Sequence, residues 1–274
     1  MTAQNHLLRD KAPIPELAWK AVDDEARERL SPLLTARRLA DWNTGTAGWE
    51  VSSVDVGRVR RLDGPPPGVK ADGAKARLRQ VQPLAEFRVP FTVSRDEIDD
   101  IQRGAQDPEF DDLARAAREA AVIENRAVFH GWPEAGISGI CEVSPYDALH
   151  LGDDTERYPD VVARAVDQLR RNGIEGPYAM AIDPEGYTRI VETAERGGTL
   201  LFEHLSRILG GQILRAPGLD GALVVSQRGG DFLLDVGQDL SIGYSDHDGD
   251  TVHLYLEESF TFRVVEPDAT VTLR

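Results

Sequence analysis

Hydrophobic residues recur along this chain with two different spacings. Between Ala85 and Ser94 apolar and polar residues alternate, which predicts a β-strand with one buried face. Pro90 lies within that strand and has no N–H group to donate, so we expect the strand at a sheet edge or at a bulge. Apolar residues at helical spacing predict one helix over 15–30 and a longer, alanine-rich helix that ends near Gly131.

Short motifs mark where these helices begin and end. Ser94 and Glu97 have the spacing of a capping box, and Gly104 suits the end of the helix that they start. Asp107 and Pro108 predict the start of the alanine-rich helix. Ser31 and Pro32 likewise predict a second, short helix that runs through Arg38.

The rest of the chain mixes helices with strands. Its middle predicts helices over 160–171, 184–195 and 200–209 and a strand over 178–182. Its end predicts strands over 223–226, 232–236, 240–244, 252–257, 260–265 and 270–273. The predicted fold class is therefore α+β.

The segment from Val51 to Arg79 predicts a long, two-armed hairpin with a proline-rich turn and few large apolar residues. Between Asp55 and Arg79 there are seven basic and three acidic residues, so this arm carries +4 and the rest of the chain −20. We expect the arm to lie on acidic groups of a neighbouring subunit. The residues expected to make these contacts are Arg58, Arg60, Arg61, Arg77 and Arg79. The alternative is a solvated, flexible loop.

The composition argues against several classes of protein. A net charge of −16 is unsuited to general nucleic-acid binding, which needs a basic surface. No apolar run approaches the ~18 residues of a membrane span, and residues 1–9 lack the apolar stretch of a secretory signal. The single cysteine, Cys141, can form neither an intrachain disulfide nor a thiolate zinc site. These features favour a cytoplasmic protein with no nucleic-acid or membrane partner.

A search for catalytic motifs finds no phosphate-binding loop, no nucleophile elbow and no zinc-protease signature. Asp246, Asp248 and Asp250 are spaced like the ligands of a calcium loop, but Thr251 stands where such a loop needs glycine. A polar hairpin turn explains these acids more simply. His253 follows on the solvent side of a predicted strand. We therefore predict no catalytic residues, no metal site and no enzymatic activity.

Several long motifs nevertheless resemble a known family. The stretch Leu223–Phe232 followed by Gly237–Tyr244, together with Ser94–Gly104 and Gly173–Tyr178, is similar in content and order to the class-one encapsulins, once labelled linocin-type bacteriocins. The similarity runs from about Leu7 to Leu273, and the Ser94–Gly104 stretch most resembles actinobacterial members.

The resemblance implies the fold of the tailed-bacteriophage major capsid protein. Such a protein has a peripheral domain, here 1–50, 80–131 and 218–274, an extended loop over 51–79 and an axial domain over 132–217. It also implies that many copies form an icosahedral shell in the cytoplasm. The shell would enclose a cargo enzyme, either a dye-decolorising peroxidase or a ferritin-like iron protein used in iron storage, through a C-terminal targeting tail.

The same resemblance implies two sites and the absence of a third. The cargo tail would bind Leu30, Leu34, Arg37, Leu39, Asp41, Leu234, Leu240 and Ile242. The pore at the five-fold axis would be lined by Glu192, Glu195, Arg196, Gly197, Gly198 and Thr199. Some members stack a flavin on a tryptophan near the Ser94 helix, but Asp96 stands at that position, so we predict no cofactor.

Two other functions fit parts of the pattern. A prophage major capsid protein would share the fold, but such proteins carry an N-terminal scaffolding segment, whereas the globular pattern here begins almost at Met1. A free enzyme such as a hydrolase is disfavoured by the failed motif search. Light scattering separates a large shell from a small oligomer.

Overall fold

A computed structural model describes residues 6–43, 48–193 and 200–274. The α-helices within these ranges are α1 (Glu16–Leu30), α2 (Arg95–Arg103), α3 (Asp111–His130), α4 (Ile140–Val143), α5 (Tyr158–Arg171), α6 (Pro184–Glu192) and α7 (Leu201–Leu209). The strands are β1 (Asp41–Asn43), β2 (Ser53–Arg61), β3 (Arg77–Pro83), β4 (Ala85–Ser94), β5 (Tyr178–Ile182), β6 (Ile213–Arg215), β7 (Ala222–Ser226), β8 (Phe232–Val236), β9 (Ser241–His247), β10 (Thr251–Val264) and β11 (Thr270–Leu273).

The larger sheet is organised around β10. On one side β10 pairs antiparallel with β4, and on the other it pairs first with β9 and then with β8, which in turn pairs parallel with β1. The two strands predicted over 252–257 and 260–265 are therefore one continuous strand. The prediction was wrong because it ended the first strand at Glu257 and left Glu258 and Ser259 as a break, whereas all three residues are buried within β10.

The alternating strand is confirmed, with Phe87, Val89, Phe91 and Val93 buried on one face of β4. Pro90 lies at the sheet edge, as its missing N–H group requires. Side chains of α3 cover that edge, since Asp112 Oδ2 accepts the Thr92 N–H at 2.8 Å and Arg115 Nη2 donates to the Pro90 carbonyl at 2.8 Å. An edge satisfied in this way is protected from pairing with other chains.

The alanine-rich face of α3 lies in the core against β4 and α1. Ala116, Ala117, Ala120 and Ala121 are completely buried. Because these side chains are short, neighbouring elements approach the α3 axis closely, and larger residues here would overpack the core.

The predicted helix starts are only partly correct. Ser94 Oγ accepts the Asp96 N–H and starts α2, and Gly104 ends α2 with φ 101°. The carboxylate of Glu97 does not complete a capping box, because it accepts the N–H of Glu109 at 2.9 Å. That long-range bond holds residues 107–110 outside the helix, so α3 begins at Asp111 and not at Pro108.

The prediction of a short helix over 31–38 is also wrong about where that helix begins. Ser31 does not cap a new helix: its Oγ donates to the Arg27 carbonyl at 2.6 Å and so closes the end of α1. Residues 31–34 form turns, and a single 3-10 turn follows over Ala36–Arg38.

The second sheet has the order β11-β7-β5-β6. Its strands β5 and β6 come from the segment assigned to an axial domain, and β7 and β11 come from the segment assigned to a peripheral domain. The predicted boundary at 217/218 therefore passes through this sheet, and the division into domains stays a prediction.

The hairpin formed by β2 and β3 projects as its own two-stranded sheet. Val59, Leu78 and Val81 on it are exposed. This confirms the two-armed hairpin, which extends beyond its predicted end to Pro83. Over the described ranges, no helix is long and apolar enough to cross a membrane.

Candidate functional site

A groove lies between α1, the turns that follow it, and β9. It encloses a cavity of about 550 Å³. Leu34 and Leu240 are half-buried on its surface, whereas Leu30 and Ile242 are nearly buried beneath them. The remaining lining residues are Leu7, Arg9, Asp23, Ala26, Arg27, Ser31, Arg37, Arg38, Trp42, Asp239, Ser241 and Leu256. The groove is thus an apolar depression with a charged rim.

The structure brings five of the eight predicted tail-binding residues to this groove. They are Leu30, Leu34, Arg37, Leu240 and Ile242. The other three do not line it. Leu39 and Leu234 are buried in the core, Leu39 directly after the 3-10 turn and Leu234 in β8. Asp41 lies beside a separate cavity of about 100 Å³, where its carboxylate accepts the Gly230 N–H.

Arg37 connects the groove to the interior of the protein. Its guanidinium donates to Glu124 Oε2 at 2.7 Å, to Glu258 Oε1 at 2.7 Å and to Asp239 Oδ1 at 2.9 Å. The guanidinium also lies over Trp42, 4.7 Å from the ring centroid. Four elements that are distant in sequence therefore meet at one side chain.

Burial and neighbouring charges shift the pKa values of the groups in this cluster. Burial alone would lower the pKa of Arg37, but the carboxylates of Glu124, Glu258 and Asp239 outweigh it and raise that pKa. Burial, reinforced by the neighbouring Glu124, raises the pKa of Glu258 well above its usual range. Burial also raises the pKa of Glu124, against the attraction of Arg37.

A buried asparagine fixes the turns that line the groove. Asn125 Oδ1 accepts the Ala36 N–H at 2.9 Å, and Asn125 Nδ2 donates to the carbonyls of Leu33 at 2.8 Å and Pro217 at 2.9 Å. Asn125 is completely buried. Among the described residues it is the hydrogen-bond partner of the Ala36 N–H and of the Pro217 carbonyl, whereas the Leu33 carbonyl also accepts the Thr35 N–H at 2.8 Å.

The N-terminal segment lines the other side of the groove. The Leu7 carbonyl accepts the Tyr244 N–H at 2.8 Å, and Arg9 makes a two-fold ion pair with Asp23 while its guanidinium lies 3.9 Å from the Trp19 ring centroid. His6 Nε2 lies 3.1 Å from Glu257 Oε1. This segment is therefore held at three points along the groove.

Sequence reasoning missed Trp42, Asn125, Glu124 and Glu258 as parts of this site. One signal was available, because two consecutive glutamates between two strand-like runs predict either a turn or buried ion pairs on both faces of one strand. Only the partners distinguish these cases, and they are far away in sequence.

The five arginines of the hairpin are all exposed. In the described part of the chain none of them pairs with a carboxylate, and β2 pairs only with β3. Their positive charge is therefore not balanced by a direct contact within the described residues of one subunit.

The acidic turn that resembled a calcium loop is closed by hydrogen bonds. Asp248 Oδ1 accepts the N–H groups of Asp250 and Thr251, and His253 lies 3.7 Å from Asp248 Oδ2. Among the described residues there is no group of three or more metal-ligating side chains. The polar-turn interpretation accounts for this segment.

A model of the family described as "Encapsulating protein for peroxidase" matches residues 4–261, which is nearly the whole chain. The chain belongs to the encapsulin shell-protein family. A type 1 encapsulin shell protein of Rhodospirillum rubrum is 47% identical over 98% of this chain and 96% of that protein. One of Mycobacterium tuberculosis is 40% identical over 98% of this chain and 99% of that protein. These relatives are named as shell proteins and not as enzymes.

Solved structures support the encapsulin fold. A virus-like particle from Pyrococcus furiosus matches with a TM-score of 0.59 at 18% identity, covering 93% of this chain and 97% of that chain. Microbacterium phage Oxtober96 matches with a TM-score of 0.55 at 12% identity, covering 87% and 90%. The chain therefore has the α+β capsid fold that it shares with tailed phages.

The predicted pore loop is largely outside the described residues. Glu192 is the exposed last residue of α6. Glu195, Arg196, Gly197, Gly198 and Thr199 lie outside the described residues, so the pore stays a prediction. Asp96, at the position of the flavin-stacking tryptophan, is an exposed residue in the first turn of α2.

Proposed function

We propose that many copies of this chain close into an icosahedral shell in the cytoplasm, and that the groove beside α1 holds the C-terminal tail of an enclosed cargo protein. The observation that carries the cargo part is the convergence of five predicted tail-binding residues on one open, apolar groove. The family description favours a peroxidase as cargo, and a ferritin-like iron protein is the second candidate.

Assembly is proposed to depend on the hairpin. Its exposed valines and leucines are unsuited to solvent, and its arginines carry positive charge, whereas the rest of the chain carries −20. A neighbouring subunit offers both apolar surface and negative charge. Obligate interfaces bury upwards of ~2,000 Å², so no single ion pair is expected to be essential.

Deleting residues 57–77 tests this part of the proposal. The shortened chain should fold, because the hairpin packs on little of the rest of the subunit, but it should not form closed shells. Light scattering and negative-stain imaging measure particle size, and circular dichroism checks that the subunit is folded. Shells of normal size from the shortened chain would refute the role of the hairpin, and a small oligomer from the full-length chain would favour a free enzyme.

The size of the groove implies weak binding of a single tail. A few apolar residues of a tail would bury ~300 Å², which corresponds to about 7 kcal/mol of gross stabilisation at ~25 cal/mol per Å². Ordering a flexible tail offsets much of this gain. An oligomeric cargo presents several tails to many identical grooves, and this avidity supplies the remaining affinity.

A charge placed on the surface of the groove tests the cargo role. Leu34→Asp together with Leu240→Asp should leave shells assembled but empty, because both side chains are half-buried at the opening. The assay counts the native cargo that co-purifies with shells, by mass spectrometry and by haem absorbance. Val265→Asp is the matched control, since Val265 is 58% exposed and does not line the groove. Full loading of well-formed double-variant shells would place the tail elsewhere.

A further inference from the structure

The cluster around Arg37 contains more carboxylates than cations. Glu124 comes from α3, Glu258 from β10 and Asp239 from the loop after β8, and all three contact the one guanidinium. Glu124 and Glu258 are completely buried, whereas the side chain of Asp239 is 47% exposed. If all three acids were ionised, two negative charges would remain unbalanced, with two carboxylates out of contact with water.

Counting hydrogen bonds shows what this pair lacks. Each buried glutamate uses one oxygen to accept from Arg37, and the second oxygen of each, Glu124 Oε1 and Glu258 Oε2, has no donor. Both carboxyl groups are bonded to the same guanidinium and are therefore neighbours. An ionised carboxylate only accepts hydrogen bonds, so one proton held by this pair would supply the missing donor.

Among the described residues, the surroundings offer no other source of compensating charge. The charged groups that act on Glu258 are Glu124, Arg37 and Asp239. From α3 the adjacent polar side chain is the neutral Asn125, whose hydrogen bonds go to backbone groups. On the opposite face of β10, Glu257 makes its own contacts with Arg88 and His6.

We propose that Glu124 and Glu258 form a proton-binding site that controls the groove. With one proton bound, the pair holds Arg37 against Trp42 in the geometry that lines the groove. Loss of that proton leaves two buried, ionised carboxylates that repel each other across the contact between α3 and β10, and this loosens the packing that fixes Arg37 and the groove. The consequence for a bound tail rests on the proposed function; the proton site itself does not.

The direction of the pH effect follows from burial. Because burial and Glu124 raise the pKa of Glu258 above its unfolded value, the folded chain holds a proton that the unfolded chain has released. Stability therefore falls as the pH rises from about 4.3, the usual value for glutamate, towards the raised pKa, and levels off above it. Above that pKa the protonated fraction falls about tenfold per pH unit, and the affinity of a groove that requires the proton falls by the same factor.

Infrared difference spectroscopy of purified shells tests the proton site directly. At pH 7 the wild-type chain should show a protonated-carboxyl band that is missing in Glu258→Gln. The glutamine mimics the protonated state, because its carbonyl oxygen accepts from Arg37 while its N–H donates to Glu124. Glu124→Gln should remove the same band and serves as the second variant where Glu258→Gln does not assemble.

The consequence for the groove is measured on loaded shells across an alkaline series. Above the raised pKa, the affinity of wild-type shells for native cargo should fall about tenfold per pH unit, whereas Glu258→Gln shells should retain their cargo. Asp239→Asn is the matched control, because it removes an acid from the same guanidinium but leaves the buried pair. Its alkaline loss of cargo should persist but begin at lower pH, since Asp239 also raises the pKa of Glu258.

Two results would overturn the inference. Absence of a carboxyl band that depends on either glutamate refutes the shared proton. A band that behaves as expected, combined with equal alkaline cargo loss in wild type and Glu258→Gln, refutes control of the groove. Failure of the cargo role itself is recognised separately, by full loading in the Leu34→Asp and Leu240→Asp shells.

Discussion

Asn125 is expected to be the most sensitive polar residue of the groove, and Asn125→Asp is the sharpest test of that expectation. In the wild type its amide donates to the carbonyls of Leu33 and Pro217 and accepts the Ala36 N–H. The aspartate keeps the shape of the side chain and can still accept from Ala36. It cannot donate to either carbonyl, and it places a negative charge 2.8–2.9 Å from two oxygens that also carry negative partial charge.

The magnitude follows from the groups left without a partner. The Pro217 carbonyl loses its described donor, which costs about 1–3 kcal/mol, whereas the Leu33 carbonyl keeps the Thr35 N–H at 2.8 Å. The negative charge of a buried aspartate beside both oxygens adds to this cost. Protonation of the aspartate would restore one donor, at the cost of holding a proton at neutral pH. We therefore expect a loss of several kcal/mol at pH 7 that becomes smaller as the pH is lowered.

The assay is the unfolding of purified shells in guanidinium chloride. It is read as an unfolding rate, because large proteins commonly unfold irreversibly. Asn172→Asp is the matched control, since Asn172 is exposed and makes a single side-chain bond, from Nδ2 to the Gln168 carbonyl at 2.9 Å. A loss below about 1 kcal/mol in Asn125→Asp, or one equal to that of the control, would refute the role assigned to the three bonds.

Three further outcomes follow from the packing and the ionisation of other sites. Gly139→Ala should lower the free energy of unfolding by about 1–3 kcal/mol or more, because a Cβ there would lie 2.3 Å from the Gly131 nitrogen. Gly249→Ala should be nearly neutral, because a Cβ there would have no atom within 4 Å. Denaturant unfolding compares the two variants. Cys141 should resist iodoacetamide at pH 8, because burial raises the pKa of its thiol to about 12, and rapid labelling seen by mass spectrometry would contradict this. Burial lowers the pKa of His130, whose Nε2 accepts the Asp220 N–H. The stability of the wild type should therefore fall as the pH drops below about 6.5, and it should fall less steeply in His130→Gln. Thermal unfolding between pH 7 and pH 5 measures this difference.

Local patterns predicted the elements that depend on local physics. The alternation along 85–94 and the alanine-rich stripe of α3 are set by which face is buried, and both were read correctly. Helix starts were predicted less well, because caps compete with distant contacts. The Asp107–Pro108 pair has good capping chemistry, but the bond from the Glu109 N–H to Glu97 holds that segment as a loop.

The groove was predictable in its leucines and in Arg37, but not in the buried partners of Arg37. Leucines that stay half-exposed beside a helix end were recognisable once a family resemblance drew attention to them, and Leu34 and Leu240 lie where a tail could reach them. Leu39 and Leu234 have the same side chain, but they are buried in the core. Nothing in the local sequence separates the two pairs, since the burial of Leu39 and Leu234 is decided by packing against segments distant in the chain.

The two consecutive glutamates of β10 explain how the groove is held in place. Successive residues of a strand face opposite sides, so Glu257 and Glu258 need separate sets of cations. Glu257 takes Arg88 and His6, which brings in β4 and the N-terminal segment, and Glu258 takes Arg37, which brings in the turns after α1. A buried charge without its partner is costly, so any packing that separates the two members of the pair is strongly disfavoured. Such pairs therefore select which segments pack together, even where they add little net stability. Each side of the groove is therefore attached to one of two adjacent glutamates of a single central strand, the N-terminal segment to Glu257 and the turns after α1 to Glu258.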